Sequence, residues 1–174
     1  DQANLLKSFV DFFYLDVLSS IKEVEIALNV VEKMKQKVLV GIHIKKNGKL
    51  PSGESITELF KECKSENWLG LIASCVSPEI IENTVDEVKD LAIPFGFKAN
   101  LWKNEPLPVH KIVKISDDGF GENPVDVLGS RDDFTAEKFY DFSKRMVGKG
   151  ATILGGCCET KPSHINAISM LKQI

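Results

Sequence analysis

Apolar positions along this chain keep two alternating rhythms. Continuous apolar runs, rich in β-branched and aromatic residues, occupy 10–17, 38–44, 70–76, 94–101 and 151–155. Between them, apolar residues recur at helical spacing. Val24, Ala27, Leu28 and Val31 mark a helix over 21–35, and Ile56, Leu59, Phe60 and Cys63 share one face of another. Ile81, Val85 and Val88 follow Pro78, which suits a first helical turn. Phe139, Phe142 and Met146 line a helix over 135–147, and Ile165, Ile168 and Leu171 one over 162–173. Runs without polar alternation are strands buried on both faces, as in a parallel sheet covered by helices.

Repeated strand–helix units predict an α/β fold. A doubly wound sheet and a (β/α)8 barrel share that pattern. No GxGxxG or P-loop follows a strand, so nucleotide binding of that kind has no support. The candidate ligands described below all sit at C-terminal strand ends, where barrel chemistry is placed. A barrel needs eight strands and about 250 residues, so the five strands read as a partial TIM barrel with three more expected before Asp1. The stretch 102–133 holds Pro106, Pro108, Gly119, Gly121 and Pro124 and shows no period, which predicts a long functional loop.

Composition narrows the classes. The 174 residues, 43% hydrophobic and 27% charged, suit one soluble domain with a real core. A net charge of -3 argues against a nucleic-acid surface. No apolar stretch approaches the ~20 residues of a membrane span, and no leader of basic then apolar residues opens the chain. The first residue is Asp1 rather than Met, as at a processing or cloning boundary. Four cysteines are too few for a disulfide scaffold, and two are adjacent. We therefore expect a reducing, cytoplasmic compartment.

The cysteines carry the chemistry. Cys157 and Cys158 end the fifth run in Gly155-Gly156-Cys157-Cys158, and Cys75 ends the third. Three thiols at strand ends form a soft-ligand set for a metal such as zinc. Three protein ligands leave a fourth position open, which is the catalytic pattern. Gly155 and Gly156 would let both adjacent thiols turn toward one ion. The plainer reading applies elsewhere: Cys63 as core, His43 as a core histidine, and His164 as a structural residue of the last helix's first turn.

The segment from Gly155 through Cys157-Cys158-Glu159-Thr160-Lys161-Pro162 to Ile165 resembles the zinc motif of the homocysteine S-methyltransferase family. Leu71-Ile72-Ala73-Ser74-Cys75-Val76-Ser77-Pro78-Glu79 is similar to that family's earlier cysteine motif. Ser52-Gly53-Glu54 resembles its Ser-Gly-Glu loop, and Phe13-Tyr14-Leu15-Asp16-Val17 its fourth strand. The resemblance covers nearly the whole chain. It implies a homocysteine-binding domain over 1–174 that holds barrel strands four to eight and lacks the first three βα units. It implies zinc on Cys75, Cys157 and Cys158. It also implies methyl transfer to homocysteine, giving methionine, from S-methylmethionine, S-adenosylmethionine or a betaine.

Asp16 stands where the family usually has a Glu that meets the substrate amine, and Ser74 where it usually has Asn. With Glu54 and the strand-end Asn100, they make up the expected substrate-binding set. No catalytic residue is expected beyond the metal site. A free thiol has a pKa near 8.5, and zinc coordination deprotonates it outright. The expected partners are homocysteine and a small methyl donor, with no nucleic acid and no membrane. A five-strand sheet leaves open edges, so a second copy or a complementary chain is also expected. The alternative function is a non-catalytic zinc-binding remnant. A redox or metal-buffering role is disfavoured by the lack of Cys-x-x-Cys.

Overall fold

Five parallel strands lie side by side in the order in which the chain makes them. They belong to a computed structural model that describes residues 1–104 and 124–173. The strands are β1 (Phe12–Leu18), β2 (Lys37–Ile42), β3 (Trp68–Val76), β4 (Phe95–Ala99) and β5 (Ile153–Gly156). The helices are α1 (Gln2–Leu6), α2 (Ile21–Lys33), α3 (Ile56–Glu62), α4 (Pro78–Val88), α5 (Pro124–Leu128), α6 (Ala136–Gly148) and α7 (Pro162–Ser169). A 3-10 turn, Met170–Gln173, closes the described chain. A doubly wound sheet reverses its strand order at a switch point. The sequential order here is that of a barrel wall.

Local chemistry starts the helices. Ser20 Oγ accepts from the Glu23 N–H at 3.1 Å, and Ser55 and Glu58 form a capping box. Pro78 takes the first turn of α4. Strand alternation then sorts the two faces of the sheet. Val38, Val40 and Ile42 are fully buried against helix residues such as Val24, Leu28, Ile56 and Leu59. Phe97 packs on Phe142 at 4.8 Å and Phe139 at 6.5 Å, so β4 and α6 share an aromatic core. The opposite face carries Tyr14, Asp16, Gly41, Ser74 and Lys98. This is the face a closed barrel would turn inward.

Element ends shift from the sequence reading. β1 begins at Phe12 because pairing starts there, opposite Lys37. β2 stops at Ile42, and the His43 N–H bonds across to Leu18 O at 2.9 Å. β4 ends at Ala99, although Leu101 beyond it stays buried. Cys63 caps the end of α3 rather than lying within it, and is still buried. The last helix ends at Ser169 and tightens into the 3-10 turn, as helix ends often do. The short α1 had no signal in the pattern. Of the expected loop over 102–133, residues 105–123 lie outside the described residues.

Candidate metal centre

Cys75 owes its position to a break in β3. Ser74 pairs with Lys98 and Val76 with Ala99, so Cys75 is left over between two registered neighbours. It adopts a φ of 55°, in the left-handed region. A non-glycine residue held there costs about 1–3 kcal/mol and must be held by its surroundings. The bulge breaks the alternation, so Ser74 keeps its inward place while the Cys75 thiol turns toward the end of β5. Asn100 clamps the bulge. Its Nδ2 donates to Cys75 O at 2.7 Å and lies 3.8 Å from Cys75 Sγ. On the other side, backbone groups of Ser74 and Cys75 engage the His43 ring.

Cys157 and Cys158 extend the ladder just past β5. The Cys157 N–H donates to Ala99 O at 2.8 Å, and Cys158 O accepts from the Leu101 N–H at 2.9 Å. Thr160 closes the turn, its Oγ1 donating to Cys157 O at 2.6 Å. A Cβ on Gly156 would meet that Oγ1 at 2.3 Å, so the close approach requires glycine. Gly155 has ordinary van der Waals room, and neither glycine has a positive φ.

The three sulfurs converge. Cys75 Sγ lies 3.7 Å from Cys158 Sγ, and Cys157 Sγ lies 3.8 Å from Cys158 Sγ. All three ligand atoms fall within 4.8 Å of one another, a set that could hold a metal ion. These separations far exceed the ~2.05 Å of a disulfide, and all four cysteines are free thiols. The trio shares charge unequally. A hydrogen bond from Cys75, backed by the Cys158 backbone and the Lys98 ammonium, holds Cys157 down at about 6. The same hydrogen bond to Cys157, together with burial, pushes Cys75 up. Burial and the Cys157 charge push Cys158 up.

A polar row runs beside the sulfurs on the inward face. The Tyr14 hydroxyl and Ser74 Oγ share a short hydrogen bond, and Lys98 Nζ pairs with Asp16 Oδ2. The Lys98 ammonium also lies 5.4 Å from the Tyr14 ring centre. Burial pushes the Tyr14 hydroxyl up. Burial opposes ionisation of Asp16, but hydrogen bonds from Lys98 and Tyr14 outweigh it and hold its carboxyl low. A Cβ on Gly41 would come within 2.4 Å of Ser74 Oγ and 2.6 Å of the Tyr14 hydroxyl, so glycine there lets the row form.

Of the expected site residues, Asn100 contacts Cys75, Ser74 precedes it in β3, and Asp16 reaches the cluster only through Lys98. Ser74 is fully buried and spends its hydroxyl on Tyr14, and Asn100 spends its amide on Cys75. Glu54 is not brought to the sulfurs. Its carboxylate takes the Ser52 hydroxyl in the loop before α3, beside the start of α2. Cys63 stays in the core, 3.8 Å from Ile21 O. His164 is buried, accepting the Lys161 N–H on Nδ1 and donating from Nε2 to Phe134 O. His43 departs from the core reading. It is half-buried and lines a cleft of about 830 Å³ with Cys75, Asn100 and Trp102. The sequence reading missed Tyr14 and Lys98 as site residues. Period-two alignment of Tyr14 with Asp16, and a lysine inside an apolar strand, were the available signals.

Strands in chain order, with thiols gathered at their C-terminal ends, define a segment of a (β/α)8 barrel with a candidate metal centre at its mouth. The family model described as homocysteine S-methyltransferase matches residues 1–171, and the chain belongs to that family. Homocysteine S-methyltransferase 1 of Arabidopsis thaliana is 29% identical over 128 residues, covering 70% of this chain and 33% of the plant protein. The Zea mays protein of the same name is 26% identical over 129 residues, with the same coverage of 70% and 33%. The apo form of the homocysteine methyltransferase MmuM from Escherichia coli matches with a TM-score of 0.70 at 15% identity. That match covers 97% of this chain and 53% of MmuM. The metallated form gives 0.69 at 15% identity, over 96% and 47%. The chain thus spans about a third of the plant relatives and about half of the bacterial fold, which fits a partial barrel.

Proposed function

We propose that this chain carries the metal-binding part of a zinc-dependent homocysteine S-methyltransferase. The reaction moves a methyl group from a sulfonium or betaine-type donor to the thiolate of homocysteine and yields methionine. The spacing of the sulfurs carries the reading. Zinc–sulfur bonds of about 2.3 Å at tetrahedral angles set sulfurs about 3.8 Å apart. Two of the three separations here are 3.7 and 3.8 Å. Zinc, when bound, supplies the positive charge that keeps an incoming thiol deprotonated.

The chain's own residues do the rest. Cys75, Cys157 and Cys158 hold the ion by three thiolates, whose negative charge keeps the substrate sulfur electron-rich. Asn100 and the Cys75 bulge fix the first of these ligands. Asp16 offers an ionised carboxylate to the substrate ammonium. Ser74 keeps the inward face in order through Tyr14. The cleft beside Cys75 has the volume of a small-molecule site, which suits the methyl donor. Free thiols suit a reducing, cytoplasmic setting, and among the described residues no helix is long and apolar enough to cross a membrane.

A second reading is a zinc-binding partial barrel that works only when another chain completes it. The outer edges of β1 and β5, without partners among the described residues, and exposed Phe9, Val10 and Phe12 favour it. One set of assays separates the two. The full-length protein is tested for methionine formation from homocysteine with S-methylmethionine, S-adenosylmethionine and betaine in turn, beside its zinc content. Cys157→Ser should lose both zinc and turnover, and Cys63→Ser should keep both. Undiminished turnover in Cys157→Ser would overturn the proposal. About one zinc per chain with no turnover from any donor would leave the second reading.

A further inference from the structure

We propose that Arg131 is a positioning residue for the metal centre, holding the Cys75 side and the Cys157–Cys158 side of the sulfur cluster at a fixed separation. The proposal rests on the reading above, that the three sulfurs hold a zinc ion. It gives a role to a residue outside the ligand set, on the wall of the cleft beside Cys75.

Three routes lead from Arg131 to the ligands. The first is its side chain. Nη1 donates to Glu79 Oε1 at 2.5 Å, and Glu79 lies in the first turn of α4, four residues after Cys75. Between them Val76 is buried and registered with Ala99, so the connection has no slack there. The second route is the backbone. The Arg131 N–H donates to Leu101 O at 3.0 Å, and the Leu101 N–H donates to Cys158 O at 2.9 Å. The residues before Arg131 are bound to the same segment, with the Lys103 N–H on Gly129 O at 3.0 Å and the Asn104 N–H on Leu128 O at 2.9 Å. The third route is the Phe134 ring, 4.8 Å from the guanidinium. Phe134 O accepts from His164 Nε2, and His164 Nδ1 accepts the Lys161 N–H, three residues after Cys158.

Energetics separate this role from support of the fold. Glu79 and Asp133, the two carboxylates on Arg131, are 55% and 63% exposed, so each pair adds little to stability. The geometry does more. A guanidinium is a rigid planar fork, and this one, 19% exposed, is set between two carboxylates and an aromatic face. Its own N–H is fixed to Leu101, so α4 cannot drift from the end of β4 without breaking the contact at Glu79. Restraint of this kind passes through contiguous packed and hydrogen-bonded groups. Cys75, in the break of β3, is the ligand with least support from the ladder. A restraint on the segment that follows it therefore acts first on the metal site.

Zinc affinity, measured beside the urea stability of the metal-free protein, is the test. Full-length protein competes with a chromophoric chelator for zinc, and its cobalt form reports the geometry of the site in the visible d–d bands. Arg131→Met and Glu79→Ala should each weaken zinc about 3- to 10-fold and shift the cobalt bands. The double variant should lose no more than the larger single loss, since both break one clasp. Asp133→Ala is the contrast. It removes the other exposed partner of the same arginine and should cost similar stability, yet leave zinc within about twofold of the parent. That comparison of Glu79 with Asp133 decides alone if Arg131→Met does not fold. Zinc binding by Glu79→Ala within about twofold of the parent would overturn the proposal. So would additive losses in the double variant, or a zinc loss in Asp133→Ala equal to that in Glu79→Ala. If the parent itself takes up neither zinc nor cobalt, the zinc reading fails first, and the positioning role falls with it.

Discussion

Asn100→Ala removes the clamp on Cys75 and leaves all three ligands in place. The Asn100 side chain is buried at 4% exposure, and its Nδ2 sits 2.7 Å from Cys75 O. Deleting it orphans a part-buried carbonyl, at about 1–3 kcal/mol. The same carbonyl belongs to the residue held at a φ of 55°, a conformation that itself costs about 1–3 kcal/mol. Without the clamp the strand gains by relaxing toward ordinary extended geometry, and that movement carries Cys75 Sγ away from Cys158. Zinc affinity should therefore fall about 10- to 100-fold, the usual effect of losing a group that orients a ligand. At 1.4 kcal/mol per decade this is about 1.4–2.8 kcal/mol, the same size as the orphaned carbonyl. Competition against a chromophoric zinc chelator measures it. Asn100→Asp should be at least as severe, because it loses the donor and sets a negative charge beside the thiolates. If Asn100→Ala lowers the stability of the metal-free protein but binds zinc within about twofold of the parent, the clamp does not act on the ligand and the argument fails.

Phe142→Ala should cost about 3–5 kcal/mol in urea unfolding without changing zinc content, because the ring is fully buried between Phe97 and Phe139. A loss under about 1 kcal/mol would contradict the packing described for β4 and α6. In acid, the Arg131 clasp should fail. Burial works to raise Glu79, but the hydrogen bond from Arg131 outweighs it and holds the carboxyl below its ordinary 4.5. A depressed folded value means the contribution is complete above the ordinary value and is lost as pH falls through the lower one. Thermal melts across that acid range should show a steeper decline for the parent than for Arg131→Met, and parallel curves would count against it.

The covalent pattern announced the strands and helices because burial leaves a period. Val38, Val40 and Ile42 could be read as strand, and Ile81 and Val85 as helix face, from spacing alone. The thiol set was legible for a different reason: soft ligands at apolar strand ends have few other uses. The bulge at Cys75 was not legible. A left-handed residue is signalled by glycine, and cysteine there is an exception that only the registers of Ser74 and Val76 disclose. A short loop motif says nothing of where its loop lands, and the Glu54 carboxylate lies beside α2. Lys98 was given no role, since a lone lysine in an apolar strand reads as surface until its partner, 82 residues away, is seen.

The two halves of the sulfur cluster stand on strands that are not neighbours. Cys75 is on the central β3, and Cys157 and Cys158 follow β5, with β4 between them. In sequence, Cys75 and Cys158 are 83 residues apart. An ion shared by them would act as a cross-link, closing a loop that contains α4, β4, α5, α6 and β5. Cross-links over long loops restrict the unfolded chain most. Such an ion would also tie down β5, which among the described residues has a strand partner along one side only, through the middle of the sheet. Amide exchange in β4 and β5 would then slow together as metal is added, following the linkage between bound ligand and the folded state. For this chain a chelator would then loosen the C-terminal half of the fold as well as strip the sulfur cluster of its ion.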